Sequence, residues 1–221
     1  MISVPVITID GPASSGKGTV ASRIASQLGY HYLDSGALYR LVAFLALRKG
    51  MSSEAAGDLG ELARTLTARF ELGRIFLEQE DVTLAIRDES VGKMASMISA
   101  IPQVRAGLLE KQRNFRKLPG LVCDGRDMGT VVFSDALLKV YLTARQEIRA
   151  QRRYKQLMEK EKDGNIENIL ADIRERDARD TMRAVAPLRQ SQDAFFLDTS
   201  QLTIDEAVQE VLRRYEVVKP W

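Results

Sequence analysis

The chain has 221 residues, 45% hydrophobic and 28% charged, with a formal net charge of +2. That length allows one domain with a full core and an insertion, and a charge so near balance asks for no polyanionic partner. A single cysteine, Cys123, excludes an internal disulfide and suits a reducing compartment, and a single histidine, His31, excludes a zinc site built on His and Cys clusters.

The opening MISVPVITID has no basic leader or small-residue cleavage site, and no run reaches membrane-spanning length, so the expectation is a soluble cytoplasmic protein with no membrane contact. Val4–Ile9 reads as a buried parallel strand, followed by a glycine-rich loop and a helix over Thr19–Leu28. Tyr30–Leu33 is the next strand and Ala37–Leu47 the next helix. Arg69–Glu89 then holds three short alternating runs, with turns expected at Gly73–Arg74 and Glu80–Asp81, which predict a small antiparallel meander. It lies between helix-like Glu54–Ala68 and Ser90–Ala100. A helix over Val104–Leu118 leads to strands at Leu121–Cys123 and Leu138–Leu142. Helices over Arg145–Lys160 and Ile166–Val185 flank the polar Glu159–Asn165, read as a mobile tip. A strand at Ala194–Leu197 and a helix at Ile204–Tyr215 close the series. This alternation predicts a three-layer α/β fold with a five-stranded parallel sheet, organised as a single domain over 1–221. Residues 54–100 are read as an insertion and 145–183 as a helical lid. His31 and Cys123, each in a strand-like run, are read as packing residues.

Between the first strand and the first helix stands GPASSGKGT, Gly11–Thr19. Where a buried strand turns sharply into a helix, several N–H groups lack intrahelical partners and the helix dipole adds partial positive charge, which makes an anion hole for phosphate. Lys17 supplies a mobile charge for the β- and γ-phosphates, and a side chain at Gly11 or Gly16 would obstruct the backbone's approach. Gly11, Pro12, Ala13, Ser14, Ser15, Gly16, Lys17, Gly18 and Thr19 therefore form the candidate ATP-binding set. The usual motif places Ser or Thr directly after the lysine. Here Gly18 intervenes and the hydroxyl falls at Thr19, so a magnesium ion is expected to be held largely through waters and nucleotide oxygens. The G-K-G-T order resembles the loop of nucleoside monophosphate kinases.

A phosphoryl transferase needs a second anion site, and arginine, permanently charged and able to grip phosphate bidentately, suits it. Arg40 stands in DSGALYR after the second strand. In CDGRDMGTVVF, Asp124 at the strand end is placed like a magnesium-orienting carboxylate. Arg126 and Asp127 emerge at the carboxyl edge, where open α/β sheets bind ligands. In RERDARDTMRAVAPL, Arg176, Arg179, Asp180 and Arg183 recur at i, i+3, i+4 and i+7, on one helical face. Arg145, Arg149, Arg152 and Arg153 form a second stripe just upstream. The bland reading of both stripes is a solvated face laced by intrahelical pairs. The functional one is a hinged hairpin whose arginines, Arg149 and Arg153 among the catalytic candidates, close over the donor phosphates and exclude water. Nucleic-acid binding is disfavoured: Arg145–Arg189 holds twelve Lys or Arg against nine Asp or Glu, with no aromatic interleaving.

Taken together, GPASSGKGT, LDSGALYR, GLVCDGRDMGTVVF and RERDARDTMRAVAPL resemble the bacterial cytidylate kinases, from Val4 to the last helix. The DGRDMGTVVF and RAVAPL blocks are specific to that family, whereas the loop is shared widely. The resemblance implies a P-loop kinase fold with an enlarged monophosphate-binding insert, a monomer, and ATP-dependent phosphorylation of CMP and dCMP. It assigns Ser96, Arg105 and Asp127 to cytosine and Arg176 and Asp180 to the sugar. Ser35, Arg40, Arg126 and Arg183 fall to the acceptor phosphate. Cytosine's N4 donor suits a carboxylate such as Asp127, and its O2 and N3 acceptors suit Arg105 or Ser96. The rivals are a kinase of the UMP, AMP or shikimate type and an ATP-binding module without an acceptor.

Overall fold

The structure, a computed structural model, describes residues 4–71, 73–159 and 164–219. In chain order its elements are β1 (Val6–Asp10), α1 (Lys17–Leu28), β2 (His31–Asp34), α2 (Ser35–Arg48), α3 (Ala56–Thr65), β3 (Ala68–Glu71), β4 (Arg74–Leu77) and β5 (Glu80–Asp81). A 3₁₀ turn (Ala85–Arg87), α4 (Glu89–Ile98), α5 (Pro102–Arg113), β6 (Leu121–Gly125) and a π turn (Met128–Val132) follow. β7 (Leu138–Thr143), α6 (Gln146–Met158), α7 (Ile166–Met182), β8 (Phe195–Asp198) and α8 (Ile204–Val218) complete the chain.

The chain forms two compact units, one running to Asp34 and resuming at Asn114, the other Ser35–Arg113. In the first, five parallel strands lie in the order β2-β6-β1-β7-β8. β1 is central, pairing Ile9 with Asp124 of β6 and with Val140 of β7. It is buried along its whole length, as a strand with neighbours on both edges and cover on both faces must be. Ile7, Ile9, Val140 and Leu142 pack with Val20 and Ile24 of α1 and Val208 and Val211 of α8. Removing that apolar surface from water, at roughly 25 cal/mol per Å², is the main force holding these helices to the sheet. α6 and α7 pair through a small core of Ala150, Ile169 and Ile173, backed by Tyr154, Leu157 and Leu170. The expected tip Glu159–Asn165 lies in part outside the described residues. Its far end is fixed, since the Asn165 side chain caps α7 by accepting from the N–H groups of Glu167 and Asn168.

The second unit contains the expected meander as a separate sheet, β3-β4-β5. One of its turns differs from expectation. Glu80–Asp81, expected as a turn, is strand, and the chain reverses one step earlier, where Glu78 takes φ 53°. The two carboxylates have partners that hold the strand: Glu80 receives a bidentate Arg48 pair, and Asp81 accepts the Thr83 N–H at 3.0 Å. α5 ends at Arg113, five residues before its expected end at Leu118. Among the described residues no helix is long and apolar enough to cross a membrane.

Candidate active site

β1 delivers the chain into the glycine loop, and packing fixes where it leaves the sheet. A Cβ on Gly11 would lie 1.9 Å from the Leu142 carbonyl oxygen. The neighbouring strand β7 therefore by itself demands a glycine here. Ser14 (φ 58°) and Gly16 (φ 93°) are both left-handed, and no side chain caps the first turn of α1, which also holds no carboxylate. Uncapped N–H groups at a helix start, with Lys17 as the first helical residue, form a binding place for an anion. Thr19 is exposed, whereas Pro12, Ala13 and Ser15 are buried, and Ser15 Oγ has no hydrogen-bond partner among the described residues. Lys17 Nζ lies 3.4 Å from the Pro12 carbonyl. Desolvation and the positive charges of Arg126 and Arg176 push its pKa down, against the pull of Asp124 and Asp34. The ammonium thus feels the charge of Arg126, expected at the acceptor phosphate, and of Arg176, expected at the sugar.

Asp124 sits in β6 with Ile9 and Asp34 as its register neighbours. It accepts the Tyr32 hydroxyl at 2.7 Å. Burial and then the Asp34 charge push its carboxyl up, and Lys17, Tyr32 and Arg126 oppose them. Where Gly18 lacks a side chain, the Asp124 oxygens are 3.7 and 3.8 Å from the position a Cβ would take. Among the described residues no group of three or more His, Cys, Asp or Glu could enclose a metal ion. The donor set fits magnesium, which binds through one or two carboxylates and completes its octahedron with water and phosphate oxygens.

Two of the arginines expected at the acceptor phosphate, Arg126 and Arg183, follow the carboxyl ends of β6 and α7. Arg126 Nε donates to Asp180 Oδ2 at 2.6 Å, with only 15% and 6% of the two side chains exposed. Burial pushes Asp180 up, but Arg126, Arg176 and Arg183 hold it below the usual carboxylate range. Arg183 Nη2 lies 3.4 Å from Asp127 Oδ1, and its Nε donates to the Ala186 carbonyl at 2.6 Å. The expected four-residue face of α7 is corrected in two places. Arg179, its side chain 37% exposed, turns outward to pair with Glu175, and Arg183 lies past the helix end in extended conformation. Pro187 cannot continue a helix and restricts Ala186 before it. The chain turns there instead, and the Leu188 N–H binds the Asp180 carbonyl at 2.8 Å. Arg183 enters the cluster from this turn.

Asp10 was not singled out by the sequence reading. Its two oxygens accept the Met128 and Gly129 N–H groups at 2.8 Å each, which anchors the π turn directly after Asp127. The only available signal was an acid ending an otherwise apolar strand. Burial pushes this carboxyl up to about 6, against those two donors; Asp127 adds to the rise and Arg126 opposes it. The folded chain therefore holds this proton more tightly than the unfolded one, where an aspartate titrates at 3.8. The stability it contributes is complete below about pH 4 and is lost as the pH climbs through about 6. Asp10→Asn lacks that titration. Thermal melts should show the native protein losing Tm relative to this variant as the pH rises through that window, and a constant difference would contradict a raised pKa.

Arg149 is buried and fully engaged, donating to the carbonyls of Ala144 (2.9 Å) and Ala13 (3.0 Å) and bidentately to Asp177 at 3.1 and 2.6 Å. Arg153 on the same helix is half-buried and makes no hydrogen bond among the described residues. Asp177, like Tyr32 and Asp34, belongs to the cluster without having been anticipated. Its signal was its position three residues before Asp180 on α7.

The second unit holds the remaining candidates. Ser35 opens α2 and is buried. Arg40 donates to the Ile86 carbonyl at 2.9 Å, beside Gly92, where an added Cβ would meet its guanidinium at 3.0 Å. Ser96 is buried in α4, and Arg105 of α5 donates to the Ser99 carbonyl at 3.2 Å, three residues beyond it.

A family model described as Cytidylate kinase matches residues 7–217. A cytidylate kinase of Chromobacterium violaceum is 54% identical over 215 residues, covering 97% of each chain. One of Bordetella bronchiseptica is 57% identical over 210 residues, covering 95% of this chain and 94% of its own. A gluconokinase from Sinorhizobium meliloti 1021 shares the fold at a TM-score of 0.53 over 99% of this chain and 95% of its own, with 15% identity. Similarity of that strength, running unbroken through loop, arginine cluster and last helix, leaves one conclusion: this chain belongs to the cytidylate kinase family.

Proposed function

We propose that the enzyme transfers the γ-phosphoryl group of ATP to CMP and dCMP, forming ADP and CDP or dCDP. The observation that carries this reading is the join between the glycine loop and the arginines: Arg149 donates to the Ala13 carbonyl of the loop and to Asp177 of α7, and Asp180 of the same helix accepts from Arg126. One set of groups suits the donor phosphates and the other the acceptor phosphate. An acceptor phosphate oxygen is already an anionic nucleophile, so no general base is needed, and positioning with charge neutralisation does the work.

The main-chain N–H groups of Gly11–Thr19 hold the donor phosphates, and Lys17 follows the γ-phosphoryl as charge moves toward the leaving oxygen. Magnesium, when bound, screens the donor oxygens, and Asp124 would hold it through water. Arg126 and Arg183 grip the acceptor phosphate, with Arg149 and Arg153 on the donor side. Arg176 and Asp180 meet the sugar, and Asp127 accepts from cytosine N4. The second unit's own residues assigned to the acceptor are Ser35 and Arg40 for phosphate and Ser96 and Arg105 for the base. We place the enzyme in the cytoplasm, in keeping with its lone buried thiol, and as a monomer, in keeping with the resemblance.

An ADP-release assay with CMP, dCMP, UMP, AMP and shikimate as acceptors tests the reading. Release should rise with CMP and dCMP and stay near background with the others. Equal stimulation by UMP, AMP or shikimate would sink the cytosine assignment, and no stimulation by any acceptor would leave only an ATP-binding module.

A further inference from the structure

The glycine loop contains a left-handed residue that is not glycine. Ser14 has φ 58°, and Gly16 follows at φ 93°. A side-chain-bearing residue held in that region costs of order 1 kcal/mol and persists only where its surroundings over-determine it. The surroundings are two arginines of α6, three positions apart. Arg149 Nη1 donates to the Ala13 carbonyl at 3.0 Å, and Arg152 Nη1 donates to the Ser15 carbonyl at 3.0 Å. The clamped carbonyls are those just before the two left-handed residues. In a planar trans peptide C=O and N–H point oppositely. Drawing the Ala13 and Ser15 carbonyls toward α6 therefore turns the N–H groups of Ser14 and Gly16 away from it.

Arg152 differs from the other arginines of the cluster. Arg126, Arg149 and Arg183 each pair directly with an aspartate, whereas the hydrogen bonds of Arg152 among the described residues go to Ser15 and Thr199, and Asp198 acts on it only through its charge. Its Nη1 also donates to Thr199 Oγ1 at 3.1 Å and its Nη2 to the Thr199 carbonyl at 2.6 Å. Thr199 is 3% exposed; its N–H donates to the Thr143 carbonyl at 2.8 Å, and its hydroxyl lies 3.0 Å from that carbonyl and 3.3 Å from the Ser15 carbonyl that Arg152 holds. The guanidinium thus joins the loop to a rigid corner of the sheet and lies beside Gly16, 3.8 Å from where a Cβ would stand. A charged donor on a carbonyl also polarises that peptide, which strengthens its N–H as a donor.

We propose that Arg152, braced by Thr199, is a positioning residue for the phosphate-binding loop: it acts through the Ser15–Gly16 peptide and sets the affinity for the donor nucleotide, not for the acceptor. This rests on the kinase reading above. Steady-state kinetics with donor and acceptor varied in turn, equilibrium binding of ADP, and thermal melts should be run on the native protein, Arg152→Gln and Arg152→Lys. Loss of one charge-assisted bond predicts a donor KM and an ADP Kd raised about tenfold in Arg152→Gln, with the acceptor KM within about twofold. Arg152→Lys, which keeps the charge and one donor for Ser15, should recover about half of that loss on a logarithmic scale. An unchanged donor KM, or donor and acceptor KM rising together in step with a lower Tm, overturns the proposal. Should Arg152→Gln fail to fold, Arg152→Lys decides, with an ADP Kd raised about threefold in support and an unchanged one against. If the native protein shows no CMP-stimulated ADP release, the acceptor assignment fails, while the ADP binding series still judges Arg152.

Discussion

Lys17→Ala is expected to lower kcat by about three orders of magnitude while Tm falls by no more than about 2 °C. The first half follows from the role. An ammonium aimed at the transferring group stabilises charge that develops only in the transition state, and a neutral methyl offers nothing in its place. The second half follows from the site. Desolvation, Arg126 and Arg176 all push the Lys17 pKa down, so the charged form is held at a cost to folding. A depressed pKa for a base means that the unfolded chain binds the proton more tightly. Near neutral pH the charged lysine therefore subtracts stability, and the native protein recovers it only as the pH rises toward the unfolded lysine value. Alanine removes that cost. Asp124 and Asp34 lose a cation in the variant, but Asp124, already pushed up by burial, can take a proton instead of remaining a bare charge. Near-normal kcat would remove Lys17 from the chemistry, and a loss of Tm large enough to explain the lost turnover would make it a structural residue.

The inner strands β1 and β6 were legible because strands covered on both faces are continuous apolar runs, VITI in β1 and LVC in β6. The order of the strands was not. β6 inserts between β2 and β1 although some 85 residues of chain separate it from β2, and nothing local records that pairing. The π turn over Met128–Val132 escaped for a related reason. It is set by two hydrogen bonds to Asp10, 118 and 119 residues away, while MGTVV alone reads as the start of another strand. Glu80–Asp81 misled because charged pairs favour turns on average, and here Arg48 and Thr83 hold both carboxylates in the strand.

The candidate site divides along the same line. Gly11–Thr19 is contiguous, so its strand–loop–helix setting and its lysine could be read together. Asp124 was found because an acid closing an apolar run is conspicuous, although the same reasoning was not applied to Asp10. What periodicity could not give was which cation meets which anion. Helical spacing placed Arg183 on a face of α7 that ends one residue before it. It also could not separate Arg149, locked onto Asp177 and the Ala13 carbonyl, from Arg153, which makes no such bond. Nor did it set Arg152 apart from the rest of its stripe, because its partners, the Ser15 and Thr199 carbonyls and the Thr199 hydroxyl, carry no local sequence signature.

Arg126→Gln is expected to reduce kcat/KM for CMP by about 10²- to 10³-fold and, unlike Lys17→Ala, to destabilise the fold by about 3 kcal/mol. Arg126 and Asp180 are joined at 2.6 Å across 54 residues of sequence, with little of either side chain exposed. Removing one member of such a pair leaves the other charge desolvated with its nearest partner gone, which costs far more than the pair itself contributes. The two effects can be separated. Arg126→Gln with Asp180→Asn has no orphaned charge, so Tm should return most of the way toward the native value. Turnover should not return, because no neutral amide can grip an acceptor phosphate bidentately. Activity returning in step with Tm would assign Arg126 to the fold alone. Stability returning without activity means that, with no nucleotide present, Asp180 occupies a guanidinium that phosphate takes over in the working complex, and the measured cost of the single variant is then mostly the cost of leaving that aspartate alone.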